Sequence, residues 1–319
     1  MMKDNSKTQK RKGLDALRGI GITGIVLYHM FPSVIRGGFL GVPLFFVLSG
    51  YLMFTTSEQA WESGDFHIRD YYKKRIKKIV PPLFIMVMAV CCYLTIIKSS
   101  MLIGIRHEIC SIFLGYENWW QISRNASYFS KLASSSPFTH LWFLAVEIQF
   151  YLLWPLLFLL YKKCCQVTSG KKMCFVFLLL ALLSAGKMLF LYTPGGDPSR
   201  VYYGTDTMAF PLLIGIFLGA LRQQYHTLCF TKKKNTLVLS GIFLLIICVL
   251  FLTVDGQFSF LYQGGMFFVS LFFAFMIHIL ENQEASPENL SKSSFLSLLG
   301  KKSYGIYLWH YPIIILALV

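Results

Sequence analysis

Long apolar stretches separated by short polar segments run from residue 14 to the end of this sequence. A helix crosses a bilayer with about 20 predominantly apolar residues. Nine stretches come close to that length, at residues 14–32, 39–56, 82–97, 140–161, 173–192, 205–221, 236–254, 259–280 and 303–319. Transmembrane strands would instead give short segments in which apolar and polar residues alternate. The pattern therefore predicts an all-α fold, a polytopic transmembrane helical bundle of about nine to ten spans.

Two of the predicted elements are irregular. Pro43 and several glycines interrupt the second stretch, which predicts a broken or re-entrant second helix buried against its neighbours. Residues 71–82 read YYKKRIKKIVPP, a basic amphipathic pattern typical of a helix that lies in the membrane interface. We expect that helix to stop at Pro81 and Pro82, because proline lacks the backbone donor that a helix interior needs.

Composition and charge agree with a membrane protein. Of the 319 residues, 55% are hydrophobic and 14% are charged, whereas soluble domains are about one quarter charged. The net charge of +15 would suit nucleic acid binding, but the cations cluster after the second, fourth and sixth spans, which is the positive-inside pattern. We therefore expect a lipid bilayer around the chain, a cytoplasmic N-terminus and no nucleic acid partner.

The whole chain, residues 1–319, is expected to form one membrane domain, with residues 1–12 as a basic cytoplasmic tail. The last apolar stretch ends at Val319 without the polar anchor that usually holds a span at the interface. This ending predicts a chain truncated at its C-terminus and a missing extracytoplasmic domain.

The first span carries Asp15, Arg18 and His29, and ionisable groups inside a span usually face the protein interior and serve function. Arg18 and His29 are 11 residues apart, so at 100° per residue they share one helix face, about 16 Å apart along the axis. A fixed cation and a titratable imidazole on one stripe predict a functional site. Alternatively, Arg18 snorkels to the headgroups and His29 sits at the far interface, both in structural roles.

Further polar groups interrupt other spans. His140 and Glu147, and likewise Ser303, Tyr307 and His310, have the spacing of one helix face. A carboxylate at Glu147 needs a partner inside a span, and it either pairs with Arg18 or orients His29; a purely structural ion pair is the alternative. Asp206, in the segment RVYYGTDTMAF that also holds Tyr203, either contacts a substrate or caps the following helix.

The motifs LDALRGIGITGIVLYHMFP, GGFLGVPLFFVLSGYL, YYKKRIKKIVPP, HLWFLAVEIQFYLLWP, RVYYGTDTMAF and SYGIYLWHYP occur in this order between about residues 13 and 312. They resemble the motifs of the acyltransferase family 3 membrane proteins, including the family's Arg-x10-His signature at Arg18 and His29. The later blocks resemble those of peptidoglycan and surface-polysaccharide O-acetyltransferases.

The resemblance implies a multi-pass enzyme of the bacterial plasma membrane, an O-acetyltransferase. Its donor would be cytosolic acetyl-CoA or another acyl-CoA, its acceptor a hydroxyl of a cell-wall or surface glycan, and no cofactor or metal would be permanently bound. His29 would act as general base or as acyl carrier, and Glu147 would be the second catalytic residue, either orienting His29 or pairing with Arg18. Substrate contacts would come from Arg18, Lys74, Arg75, Trp142, Tyr203, Asp206, Tyr307 and His310.

Two alternatives stay open at this stage. Membrane domains of this type also occur fused to esterase-like or racemase partners. Intramembrane Arg, Glu and His also form proton relays, so the chain could transport small anions, although no inverted repeat relates its halves.

Overall fold

The computed structural model describes residues 2–129, 136–168, 170–225, 233–281 and 295–317, and only the backbone of residues 2–12 and 233–238. Over these residues the regular structure is entirely helical, as the sequence predicts. Thirteen α-helices follow one another: α1 Met2–Met30, α2 Gly41–Glu62, α3 Ile68–Ile97, α4 Ile105–Leu114, α5 Glu117–Ser123, α6 Trp142–Val167, α7 Gly170–Leu191, α8 Ser199–Tyr203, α9 Thr205–Met208, α10 Phe210–Gln224, α11 Lys233–Thr253, α12 Met266–Glu281 and α13 Phe295–Ala317. Short 3₁₀ turns at Gly38–Leu40, Ser99–Leu102 and Thr139–Leu141 and a π turn at Leu261–Gly265 complete the regular structure.

Six helical segments within the described residues are long and apolar enough to cross a membrane. They are Gly38–Glu62, Ile68–Ile97, Thr139–Val167, Gly170–Leu191, Thr205–Gln224 and Leu261–Glu281. Helices α1, α11 and α13 occupy the other three predicted spans without meeting those criteria. The chain is therefore a membrane protein, while the nine to ten spans and the cytoplasmic N-terminus stay predictions. The predicted tail enters α1 from Met2, and Val319 lies outside the described residues.

The second helix is neither broken nor re-entrant, contrary to the expectation from its sequence. After the 3₁₀ turn Gly38–Leu40, α2 runs without interruption from Gly41 to Glu62. Pro43 lies in the first turn of α2, where the missing N–H costs nothing because the first amides of a helix have no partner within it. The proline thus fits within the first turn of the helix and does not break it.

The predicted end of the third helix at Pro81 and Pro82 is also wrong, while an interfacial position of the basic residues before them stays a prediction. One helix, α3, continues through both prolines from Ile68 to Ile97. A proline inside a helix removes the hydrogen bond to the carbonyl four residues earlier and crowds that carbonyl; the carbonyls concerned here are those of Lys77 and Lys78. Neighbouring helices support the junction, because the hydroxyl of Tyr304 on α13 donates to the Ile79 carbonyl at 2.8 Å.

Helices α1 and α13 lie against each other along most of their length, and two glycines allow this contact. A Cβ atom at Gly19 would lie 2.0 Å from the Leu296 carbonyl oxygen, and one at Gly300 would lie 1.7 Å from the Asp15 carbonyl oxygen. Small residues let helix backbones approach closely in membrane proteins. We call this contact the α1–α13 seam, and it brings the polar residues of the two helices to a common site.

Candidate functional site

A cavity of about 120 Å³ lies at one end of the seam and is lined by residues of α1, α2, α3, α6 and α13. Four cations, Arg18, Arg75, Lys78 and Lys301, line it together with the carboxylate of Glu147. The hydroxyl of Ser49 donates to that carboxylate, which is 9% exposed. We call this the basic cavity, because four cations and one carboxylate line it.

Two of the cavity residues have further partners that fix their positions. Arg18 pairs with Asp15 one turn earlier, with 3.7 Å between their charged atoms. The guanidinium of Arg75 lies 5.3 Å from the ring centre of Tyr71 and 4.6 Å from that of Tyr151. Such cation–π contacts hold a cation in place without neutralising it, so the charge of Arg75 stays available to an anion.

A second cavity, of about 320 Å³, adjoins the basic cavity because Arg75 and Lys78 line both. Lys74, His67 and Asp70 also line it. Lys74 thus does not reach the basic cavity but extends its positive charge outward along α3. Together the two cavities form a continuous polar region with basic residues along α3.

The opposite end of the seam holds three buried histidines, which we call the histidine cluster: His29, His140 and His310. The rings of His29 and His310 meet directly, with 3.3 Å between His29 Nδ1 and His310 Nε2. His29 Nδ1 also lies 2.9 Å from the Ile25 carbonyl oxygen, and His310 Nδ1 lies 2.7 Å from that of Tyr307.

These contacts decide which ring nitrogen carries the proton in the neutral imidazoles. A backbone carbonyl can only accept a hydrogen bond, so Nδ1 is the protonated nitrogen in both His29 and His310. The Nε2 of His310 then accepts from His29, and the Nε2 of His29 keeps a lone pair. Neutral His29 can therefore take up a proton or attack an electrophile at Nε2.

Tyr307 connects the two ends of the site. Its side chain lines the basic cavity, and its hydroxyl donates to the backbone carbonyl of His140. Its own carbonyl is the acceptor for His310. The side chain of Tyr307 therefore lies between the basic cavity and the histidine cluster.

Aromatic residues surround the histidine cluster. Tyr128 packs against His29, with ring centres 6.1 Å apart, and also against Trp142 and Tyr203 at 5.9 and 6.0 Å. Trp142 and Tyr203 are themselves fully buried and 5.3 Å apart. These two residues therefore reach the cluster through Tyr128 and not directly.

Asp206 is not joined to either end of the site by its ion pairs. Its carboxylate lies 2.8 Å from Lys187 and 3.0 Å from Arg200. The position of Lys187 within a span suggests that its side chain snorkels to the membrane interface. The structure also gives Lys187 an ion-pair partner. The side chain of Asp206 is engaged with these two cations instead of capping α10, whose N-cap residue Ala209 makes no side-chain cap.

The sequence-based pairings are only partly realised. Glu147 lines the basic cavity with Arg18 and not the histidine cluster, so of the two suggested partners the structure brings it to Arg18. His140 lies on the 3₁₀ turn before α6 and its ring joins the cluster, although its spacing suggested a shared face with Glu147. Sequence analysis missed Ser49, Lys78 and Lys301. Ser49 had one signal, a lone hydroxyl in an apolar stretch.

A separate buried acidic pair lies on α4 and α5, outside the candidate spans. Glu108 is 7% exposed and Glu117 is completely buried. Burial, together with the neighbouring Glu108, raises the pKa of Glu117 to about 9, and burial also raises the pKa of Glu108. Gln121 donates to both carboxyl groups, and Ser136 donates to Glu108 at 2.8 Å.

Comparison with known sequences decides what kind of domain carries this geometry. The profile of acyltransferase family 3, described as an acyltransferase domain, matches residues 11–317. The chain belongs to acyltransferase family 3. Both ends of the candidate site lie within the matched residues. Among the described residues of this family member, no group of three or more His, Cys, Asp or Glu side chains is arranged to hold a metal ion.

Relatives with assigned names support the same family. The chain is 36% identical over 307 residues to the peptidoglycan O-acetyltransferase OatA of Listeria monocytogenes, covering 95% of this chain and 49% of that protein. It is 37% identical over 321 residues to the putative peptidoglycan O-acetyltransferase YrhL of Bacillus subtilis, covering 98% and 50%. A putative O-acetyltransferase of Staphylococcus aureus is 31% identical over 312 residues, covering 97% and 51%.

The chain spans about half the length of these curated relatives. No solved structure gives a significant match. The family assignment therefore rests on sequence similarity along nearly the whole chain.

Proposed function

We propose that this chain is the membrane domain of a bacterial plasma-membrane O-acyltransferase. It would move an acyl group, most simply acetyl, from a cytosolic acyl-CoA to a hydroxyl of a cell-wall glycan. The observation that carries the proposal is the seam arrangement: a basic cavity and a histidine cluster separated by Tyr307 in an acyltransferase-family chain. The names of the relatives support peptidoglycan as the acceptor.

The basic cavity supports an anionic donor. Arg18, Arg75 and Lys78 outnumber the single carboxylate of Glu147, and Arg is well suited to phosphate because its planar fork donates two parallel bonds. A cavity of about 120 Å³ holds only a part of a coenzyme A thioester. We therefore propose that the pantetheine arm of the donor lies there, with its thioester directed past Tyr307 towards the histidine cluster and its phosphates along α3, near Lys74 in the adjoining cavity.

The histidine cluster supports the transfer step. An alcohol becomes a competent nucleophile when a base removes its proton during attack, and the Nε2 of His29 carries the lone pair for this. The imidazolium that forms at His29 would be stabilised by the Ile25 carbonyl and by the Nε2 of His310, both acceptors for its Nδ1–H. His310 is thus a positioning residue. If His29 carries the acyl group instead, the same Nε2 is the nucleophile.

The test is transfer of label from acetyl-labelled coenzyme A to cell-wall glycan by cells that lack the native gene. They would express the wild-type protein, His29→Ala, or His107→Ala as a matched control. His107 is an exposed histidine on α4, so its removal should leave transfer unchanged. We expect His29→Ala to abolish transfer while the protein stays in the membrane.

Two results would count against the proposal. Wild-type rates in His29→Ala would remove His29 from the reaction. Absence of transfer by the wild-type protein, in its full length, would remove the acyltransferase function itself. The alternatives suggested by the sequence, a transporter and a module fused to an esterase-like or racemase partner, gain no support from the comparisons.

A further inference from the structure

The ring of His140 is buried without a hydrogen-bond partner. The residue is 3% exposed, and neither Nδ1 nor Nε2 has a partner of suitable geometry. Backbone groups of Pro137 and Leu308 lie near the ring without forming a hydrogen bond with it. Buried polar atoms are nearly always paired, because an unpaired one has lost its hydrogen bonds to water without replacement. Two orphaned nitrogens on one ring therefore require an explanation.

Packing does not supply that explanation. The ring of His140 packs among other rings, with centres 5.2 Å from Tyr307, 5.4 Å from His310 and 5.1 Å from Tyr311. Its backbone is held independently, by the 3₁₀ turn Thr139–Leu141 and by the hydroxyl of Tyr307. An apolar or aromatic side chain would fill the same space without the cost of two unpaired nitrogens.

The chemistry of acyl transfer has a use for such a group. As a hydroxyl attacks an acyl carbon, negative charge develops on the carbonyl oxygen, and enzymes stabilise it with preorganised donors. The Nδ1–H groups of His29 and His310 are already bonded to backbone carbonyls. Of the three clustered imidazoles, His140 alone has an N–H that no protein group uses. Its ring packs against the ring of His310, which in turn contacts His29.

We propose that His140 is a catalytic residue that donates its uncommitted N–H to the acyl carbonyl oxygen during transfer. This inference rests on the proposed function and on His29 as the base. The acceptor oxygen bonds to the acyl carbon while its proton moves to Nε2 of His29. The carbonyl π pair moves onto the oxygen, where His140 holds it. The pair then re-forms the carbonyl, the carbon–sulfur bond breaks, and the leaving sulfur takes the proton from His29, giving an ester and a thiol.

The experiment compares replacements of His140 that keep a hydrogen-bond donor with replacements that are apolar. His140→Gln and His140→Asn keep an N–H at positions close to Nε2 and Nδ1, whereas His140→Leu and His140→Phe keep volume without a donor. Transfer from acetyl-labelled coenzyme A is measured in membranes, as initial rates per amount of protein, with the wild type and His29→Ala in parallel. His140→Phe preserves the ring packing, so it serves where the leucine variant does not fold.

We expect the apolar variants to lose about 10²–10³-fold in kcat, as removal of an oxyanion donor does elsewhere, with the KM for the donor changed by less than about threefold. At least one amide variant should recover tenfold or more of that loss. Wild-type kcat in His140→Phe, or amide variants no faster than the apolar ones, would overturn the assignment. Transfer by wild type but not by His29→Ala would, in those cases, leave the proposed function standing. No transfer by wild type would overturn both.

Discussion

Glu117 should be a protonated carboxylic acid in the folded protein, and its hydrogen bonds show why. The Ser111 hydroxyl lies 2.7 Å from the Glu108 backbone carbonyl and also contacts Glu117 Oε2. Ser111 has one hydrogen, and the backbone carbonyl can only accept it. The remaining contact then needs a proton on Glu117, which donates to the serine oxygen. The raised pKa of about 9 leads to the same conclusion through burial.

This protonation makes stability depend on pH. Between the ordinary pKa of 4.5 and the folded-state value of about 9, only the folded state holds the proton. The free energy of unfolding therefore falls as pH rises through this window, by about 1.4 kcal/mol per pH unit, and is level on either side. At pH 7 the accumulated loss is about 3 kcal/mol.

Glu117→Gln should remove this loss, because an amide offers one acceptor to Gln121 and one donor to Ser111 without ionising. We expect the variant to match wild type near pH 5 and to unfold at a higher temperature at pH 8. The assay is thermal unfolding of purified protein in detergent between pH 5 and 9. Glu62→Gln, which removes an exposed carboxylate on α2, is the control and should follow wild type. A Glu117→Gln curve parallel to wild type, or a lower midpoint at pH 8, would refute the reasoning.

Three further predictions concern packing and charge. Gly300→Ala places a Cβ against backbone and should lower the unfolding temperature and the yield, whereas Gly305→Ala, where a Cβ meets nothing within 4 Å, should not; equal effects would contradict the seam. Lys162→Met leaves Glu58, its partner at 2.7 Å, as an unpaired buried carboxylate and should cost about 3 kcal/mol of stability. Adding Glu58→Gln should restore most of it, and no recovery in the double variant would rule out the ion pair as the cause. Arg75→Lys should raise the donor KM about tenfold with kcat little changed in the transfer assay, because lysine lacks the planar guanidinium; an unchanged KM would exclude a donor contact.

The sequence predicts the helical class and several site residues well, since both depend on local pattern. Apolar stretches of spanning length mark most helices, and charged residues inside them mark Arg18, His29 and Glu147. The errors concern prolines, whose effect depends on position within a helix. Pro43 lies in the first turn of α2, and Pro81 lies inside α3, a difference that composition does not reveal.

The separation of the site into two ends could not be predicted, because it depends on tertiary contacts. Helix spacing places Arg18 and His29 on one face. It does not show that Glu147 lies with Arg18 in the basic cavity, or that His310 lies with His29 in the histidine cluster. Tyr307 lies between the two ends of the site because its hydroxyl donates a hydrogen bond to the backbone carbonyl of His140, which is distant in sequence. Backbone acceptors carry no sequence signal, so such a contact appears only in the structure.

The α1–α13 seam also limits which parts of the protein can move. Where two backbones touch at Gly19 and Gly300, there are no intervening side chains whose rotamers could change, so the two helices behave as one rigid body. The opposite wall differs, because the prolines of α3 leave two carbonyls without a helical partner and make that helix easier to bend. We therefore expect the basic cavity to widen by movement of α3 more readily than by movement of α1 or α13, so the distance from Arg18 to His29 stays constant.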